Sequence, residues 1–117
     1  MLITKEDIMQ KLFVVVRRDL APGAMLAQAC HGLRAFAAAH PELDAAWYRE
    51  SNNLVCLEVE DEAALERLRA RAEAAGVAYA TFREPDFDDA VTSIAIAPDG
   101  WRLVSSLPLA MKERRAA

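Results

Sequence analysis

Phe13 to Gly32 reads FVVVRRDLAPGAMLAQACHG, and this stretch decides the fold. Phe13-Val14-Val15-Val16 is a run of four apolar residues, three of them β-branched, which predicts a buried strand from Lys11 to Arg17. Pro22 suits the first turn of a helix, and apolar residues then recur at helical spacing to about Ala39. Arg17-Arg18-Asp19-Leu20-Ala21-Pro22-Gly23 is the tight, charged connection between them. A strand entering a helix this way sets polar groups at its carboxyl end against the free N–H groups of a helix N-terminus. Open α/β sheets hold their ligands there.

Met25, Leu26, Ala29, Cys30, Leu33, Phe36 and Ala37 form the expected core stripe of that helix. Ala24, Gln28, His31 and Ala35 step by three or four and share a second face. Further along, Pro41 to Tyr48 reads as a short second helix, broken at Ser51-Asn52-Asn53, and Leu54 to Val59 as a strand. Asp61 is an N-cap for a helix from Glu62 to Ala75, with Gly76 as its left-handed stop. A strand over Ala78 to Phe82, an acidic loop from Arg83 to Asp89, and a strand over Val91 to Ala97 follow. Pro98-Asp99-Gly100 is a turn, and the tail, Trp101 to Ser106 and then Leu107-Pro108-Leu109-Ala110, reads as a short helix packing back on the sheet. The order βααβαββα predicts an α/β fold: a single three-layer domain over residues 1–117, with a small four-stranded mixed sheet and helices on both faces. Residues 1–10 read as a leader with no assigned role.

The chain's 117 residues, 54% of them hydrophobic, fit one domain around one core. No apolar run approaches the ~20 residues that span a bilayer. Glu6 and Asp7 interrupt the N-terminus, which lacks the apolar centre of a signal peptide. The expectation is a cytoplasmic protein with no membrane partner. Cys30 falls in a helix and Cys56 in a strand, without CxxC or Cys/His spacing, so both are expected to be small buried hydrophobes and no metal is expected. A net charge of −4 excludes a surface that is wholly a nucleic-acid clamp, because phosphate binding relies on Lys and Arg. It leaves room for a local basic patch, and the cations do cluster at Arg17 and Arg18, Arg67 to Arg71, and Lys112 to Arg115.

The strand-turn-helix carries Arg17, Asp19, Leu20, Pro22, Gly23, Ala27, Gln28 and His31 in a fixed order. Glu60-Asp61-Glu62, Ala74-Ala75-Gly76-Val77 and the last strand, Val91-Thr92-Ser93-Ile94-Ala95-Ile96-Ala97-Pro98, follow it. Each block alone is a weak signal. Together, in this order and spacing, they resemble peptidyl-tRNA hydrolases of the archaeal and eukaryotic type, the type II family, which also has bacterial members. The resemblance implies an enzyme that hydrolyses the ester between a peptide and the terminal ribose of tRNA, recycling tRNA for translation. The chemistry is water attack on an activated ester and requires no metal or organic cofactor.

The resemblance also implies three site positions: a Lys at the helix start, an Asp after the third strand and a Thr entering the fourth. The first is Ala24 here, which supplies no cation. Asp86 is the best match for the second, with Glu84 as the alternate, and Thr92 matches the third. Asp19 and His31 complete the candidate catalytic set, and Arg17, Arg18, Gly23, Gln28 and Arg83 are the candidate substrate contacts. Each has a structural alternative. Asp19 could cap a turn, His31 could be a hydrogen-bonded helical histidine, Gln28 could face solvent, and Asp86, Asp88 and Asp89 could form a solvated turn. Cys30 and His31 make no ready dyad, since adjacent helical residues point ~100° apart. Arg34 joins the candidate RNA contacts. Trp47, Tyr48 and Trp101 read either as base-stacking or as packing residues. Two other readings follow from particular residues. Ala24 leaves open a non-catalytic tRNA-end or protein-binding module, and Leu107-Pro108-Leu109 with Met111 leaves open a homodimer.

Overall fold

The structure is a computed structural model that describes residues 11–112, so the leader expected at residues 1–10 lies outside it. Four strands form one sheet in the order β2-β1-β4-β3, where β1 is Lys11–Arg17, β2 Asn53–Val59, β3 Tyr79–Glu84 and β4 Ala90–Ile96. β1 pairs parallel with β2, and β4 is antiparallel to both β1 and β3. The helices are α1 (Pro22–Ala39), α2 (Pro41–Glu50), α3 (Glu62–Ala75) and the single turn α4 (Trp101–Val104).

Strand alternation divides the core into two layers. Leu12, Val14, Ala80, Ala95 and Ala97 face α1 and α2, meeting Phe36 and Trp47. Phe13, Val15, Leu57, Ile94 and Ile96 face α3 and α4, meeting Leu65, Leu68, Ala72 and Val104. The expected three-layer α/β architecture is therefore the observed one. Asp61 caps α3 by accepting the Ala64 N–H at 3.0 Å, and Gly76 ends it at φ 69°.

Three expectations are corrected. First, β3 runs two residues past Phe82, because Arg83 and Glu84 still pair with Val91 and Ala90. The acidic loop thereby shrinks to a 3₁₀ turn, Pro85–Phe87, and two left-handed residues, Asp88 and Asp89. Second, the face α1 buries is rotated. Met25, Gln28, Gly32 and Phe36 are buried, whereas Leu26 is 58% exposed. Gly32 is the cause: a Cβ there would lie 2.6 Å from Ser93 Oγ, so the helix's line of closest approach runs through it. Third, that rotation leaves Cys30 exposed, and Cys56 is only half-buried, its thiol pKa raised by desolvation.

Beyond α4 the chain doubles back along the outer edge of β2. Glu58 N–H donates to Pro108 O at 3.0 Å, Ala110 N–H donates to Cys56 O at 2.9 Å, and Leu109 bridges Leu57 antiparallel. This strap satisfies edge groups that would otherwise be open for pairing.

Candidate active site

The strand directions gather the carboxyl ends of β1, β2 and β3 and the amino end of β4 at one edge of the sheet, where α1 also begins. Arg17, Arg18 and Asp19 leave β1 there, Gly23 sits in the first turn of α1, Glu84 ends β3 and Thr92 lies near the start of β4. The edge has two faces, and alternation sorts the side chains between them.

A β-bulge decides where Thr92 points. Phe82 pairs with Ser93, but the next residue, Arg83, pairs with Val91, so Thr92 is the extra residue on β4. Val91 consequently joins Ile94 and Ile96 in the α3-side core. Thr92 and Ser93, although adjacent, both reach Gln28 of α1. Without the bulge, regular alternation would send Thr92 to the α3 face with Ile94.

Gln28 is the hub on the α1 face. The Thr92 hydroxyl donates to Gln28 Oε1 at 2.5 Å, and the Ser93 hydroxyl donates to the Gln28 backbone carbonyl at 2.7 Å. Gln28 Nε2 donates to Glu84 Oε1 at 3.0 Å. A carboxylate only accepts, so Glu84 fixes which way round the amide lies, and the amide in turn holds the Thr92 proton. The Thr92 hydroxyl thus anchors the amide from the buried side. Thr92 is fully buried and Gln28 nearly so, while Glu84 at the end of the chain is half-buried. Its second oxygen makes no hydrogen bond among the described residues. One turn beyond Gln28, the His31 ring stacks on Phe82, with centroids 4.4 Å apart and planes at 16°.

The other candidates are arranged differently. Asp86 is exposed in the 3₁₀ turn and makes no hydrogen bond or ion pair among the described residues. Glu84, the alternate, is the carboxylate that the fold joins to Thr92. Arg83 points to the opposite face, bracing the loop through Asp89 O at 3.3 Å and Glu66 at 3.5 Å. Arg17 lies on the α3 face with Phe13 and Val15. It grips Asp19 with two bonds of 2.9 and 2.8 Å and donates to Val91 O at 3.2 Å. The hydrogen bond from Arg17 is the main cause that holds the Asp19 carboxyl below its ordinary pKa. Arg18 is exposed and forms no ion pair among the described residues. A Cβ at Gly23 would meet nothing within 4 Å, so the helix start is open to an approaching group. Ser93 and Phe82 were absent from the sequence-based set. Ser93 adjoins Thr92 but on a regular strand would face away from it, and the stack on Phe82 has no sequence signal.

Comparison with known proteins adds to this geometry. The family model described as "Peptidyl-tRNA hydrolase PTH2" matches residues 10–112. A protein named peptidyl-tRNA hydrolase from Thermococcus onnurineus (strain NA1) is 30% identical over 107 residues, covering 83% of this chain and 91% of the relative. Among solved structures, a protein of unknown function from Agrobacterium tumefaciens strain C58 superposes with a TM-score of 0.61. The match covers 85% of this chain and 96% of that one at 17% identity, a likeness of fold.

Proposed function

The chain belongs to the PTH2 family of peptidyl-tRNA hydrolases, and from that premise we propose that it cleaves the ester of peptidyl-tRNA, releasing peptide and tRNA in the cytoplasm. The observation that carries this reading is the hydrogen-bonded chain Thr92–Gln28–Glu84 at the sheet edge where α1 begins.

In this reaction water attacks the ester carbonyl, and the ribose oxygen leaves with a proton. The Thr92 hydroxyl, buried and committed to Gln28, locks the amide from behind, so the amide holds Glu84 in place to bind the attacking water. Glu84 takes the proton from that water through its free oxygen and returns it to the leaving ribose oxygen. Gln28 fixes both ends of the arrangement. The developing oxyanion meets the backbone N–H groups of Gly23 and Ala24, which lie in the first turn of α1 and have no intrahelical acceptor. They and the helix dipole do the work that a cation would do at position 24. His31 shapes the wall with Phe82, and Arg17 with Asp19 stiffens the turn leading to Gly23.

The test is turnover of N-acetyl-aminoacyl-tRNA by the purified chain. Enzyme-dependent release of the N-acetyl-amino acid, proportional to protein, is the expected result. No release above the uncatalysed rate would refute the proposal.

A further inference from the structure

The acids of α3, with Arg69 among them, lie on one side of the helix. Glu62 accepts the Val91 N–H at 2.7 Å, Glu66 pairs with Arg69 and Arg83, and Glu73 accepts the Tyr79 hydroxyl at 2.9 Å. These acids are spent against β3 and β4. Arg67 and Arg71, spaced i and i+4, emerge on the other side of the helix, and neither forms an ion pair among the described residues. They line a groove of about 320 Å³ between α3, the end of β2 and the segment after α4. Arg18 lines the same groove, and its backbone N–H is fixed to Val59 O at 2.9 Å.

Three arginines with no ion pair among the described residues therefore converge on one concavity of an otherwise acidic protein. Of the two acids there, Glu58 is buried and accepts the Met111 N–H at 3.0 Å, leaving Glu60 on the rim. Leu68 and Leu107 give the groove an apolar floor. Guanidinium forks match phosphate oxygens in a bidentate way and attract a repeating polyanion. The groove also opens at the same sheet edge as the site, and Arg18 lies on the connection that leads to Gly23.

We propose that the Arg18–Arg67–Arg71 groove seats the phosphodiester backbone of tRNA, holding the body of the substrate while its 3′ end reaches Gly23 and Glu84. This rests on the hydrolase reading for its substrate, yet it is tested separately. Binding of deacylated tRNA to the full chain is measured across a salt series. Wild type, Arg67→Ala/Arg71→Ala, Arg18→Ala and the distant control Arg49→Ala are compared, with thermal melting to confirm that each is folded. The double variant is expected to weaken binding on the order of tenfold and to reduce the slope of log affinity against log salt by about 2. Arg18→Ala is expected to reduce that slope by about 1, and Arg49→Ala to leave it unchanged. Folded groove variants that keep wild-type affinity and slope would overturn the proposal, as would a wild-type chain that does not bind tRNA. A chain that binds through the groove but releases no peptide refutes the hydrolase reading alone. A chain that hydrolyses while its tRNA binding ignores these arginines refutes the groove alone.

Discussion

At the scale of single residues, two carboxylates that stand two apart in sequence have different surroundings. Glu84 accepts a hydrogen bond from Gln28, and Asp86 makes no hydrogen bond or ion pair among the described residues. Glu84→Gln should lower kcat by about 10²-fold or more, the usual loss when a general base is removed, while Asp86→Asn should change it less than threefold. Single-turnover hydrolysis of N-acetyl-aminoacyl-tRNA measures both. Ala24→Lys makes a second test, since it puts a cation beside the proposed oxyanion position. Turnover should rise, while stability in urea falls by about 0.3–1 kcal/mol because a positive charge opposes the helix dipole at its N-terminus. The Arg17–Asp19 pair sets a pH dependence. The folded-state pKa of Asp19 is depressed, so the pair's stability is present above the unfolded value near 3.8 and is lost as pH falls through the lower, folded one. Asp19 is 41% exposed, so the effect is at most about 1 kcal/mol. Urea midpoints of wild type should converge on those of Asp19→Asn as pH drops below about 4. At this scale the family resemblance drew attention to Thr92 and Gln28, which the fold joins by a hydrogen bond. That Glu84 is the carboxylate meeting Gln28 was not legible, because two polar residues after Phe82 look like the end of a strand.

At the scale of elements, the contact between α1 and β4 aligns the Thr92–Gln28–Glu84 chain. Its register rests on Gly32, where a Cβ would stand 2.6 Å from Ser93 Oγ and 3.1 Å from Ser93 Cβ. Gly32→Ala should push α1 off the sheet, costing about 1–3 kcal/mol in chemical denaturation and lowering kcat by stretching the Thr92–Gln28 bond. Combining it with Ser93→Ala removes the clashing oxygen, so the double variant should lose less stability than the two single losses added together. Additive losses would mean that the close approach is not what fixes the helix. Most element bounds followed from sequence, since β1, α1 and α3 begin and end at strong local signals: the valine run, Pro22, Asp61 and Gly76. Two features did not. The helix is apolar around much of its surface, so hydrophobic spacing alone chose Leu26 and Cys30 as core, where contact through Gly32 leaves them exposed. The bulge at Thr92 carries no glycine or proline to announce it; the register of a strand neighbour creates it.

At the scale of the whole molecule, two arrangements stand on opposite faces of one sheet edge. The α1 face holds the buried hydrogen-bonded chain, and the α3 face holds the arginine groove, whose far wall is built from the segment after α4. That segment continues as the strap on β2, so the groove and the protected sheet edge depend on the same stretch of chain. Ala110→Pro deletes the N–H that bonds Cys56 O. It should loosen the strap, weaken tRNA binding and, by light scattering across a dilution series, increase association between chains as the edge of β2 is freed. The central claim, that Thr92 and Glu84 act through Gln28 as one hydrolytic unit, is tested most directly by kcat for peptide release from N-acetyl-aminoacyl-tRNA. The chains compared are wild type, Thr92→Val, Glu84→Gln and the double variant. The account predicts that each single variant loses about 10²-fold or more and that the double variant is little worse than either alone. Single variants that retain wild-type kcat would contradict it.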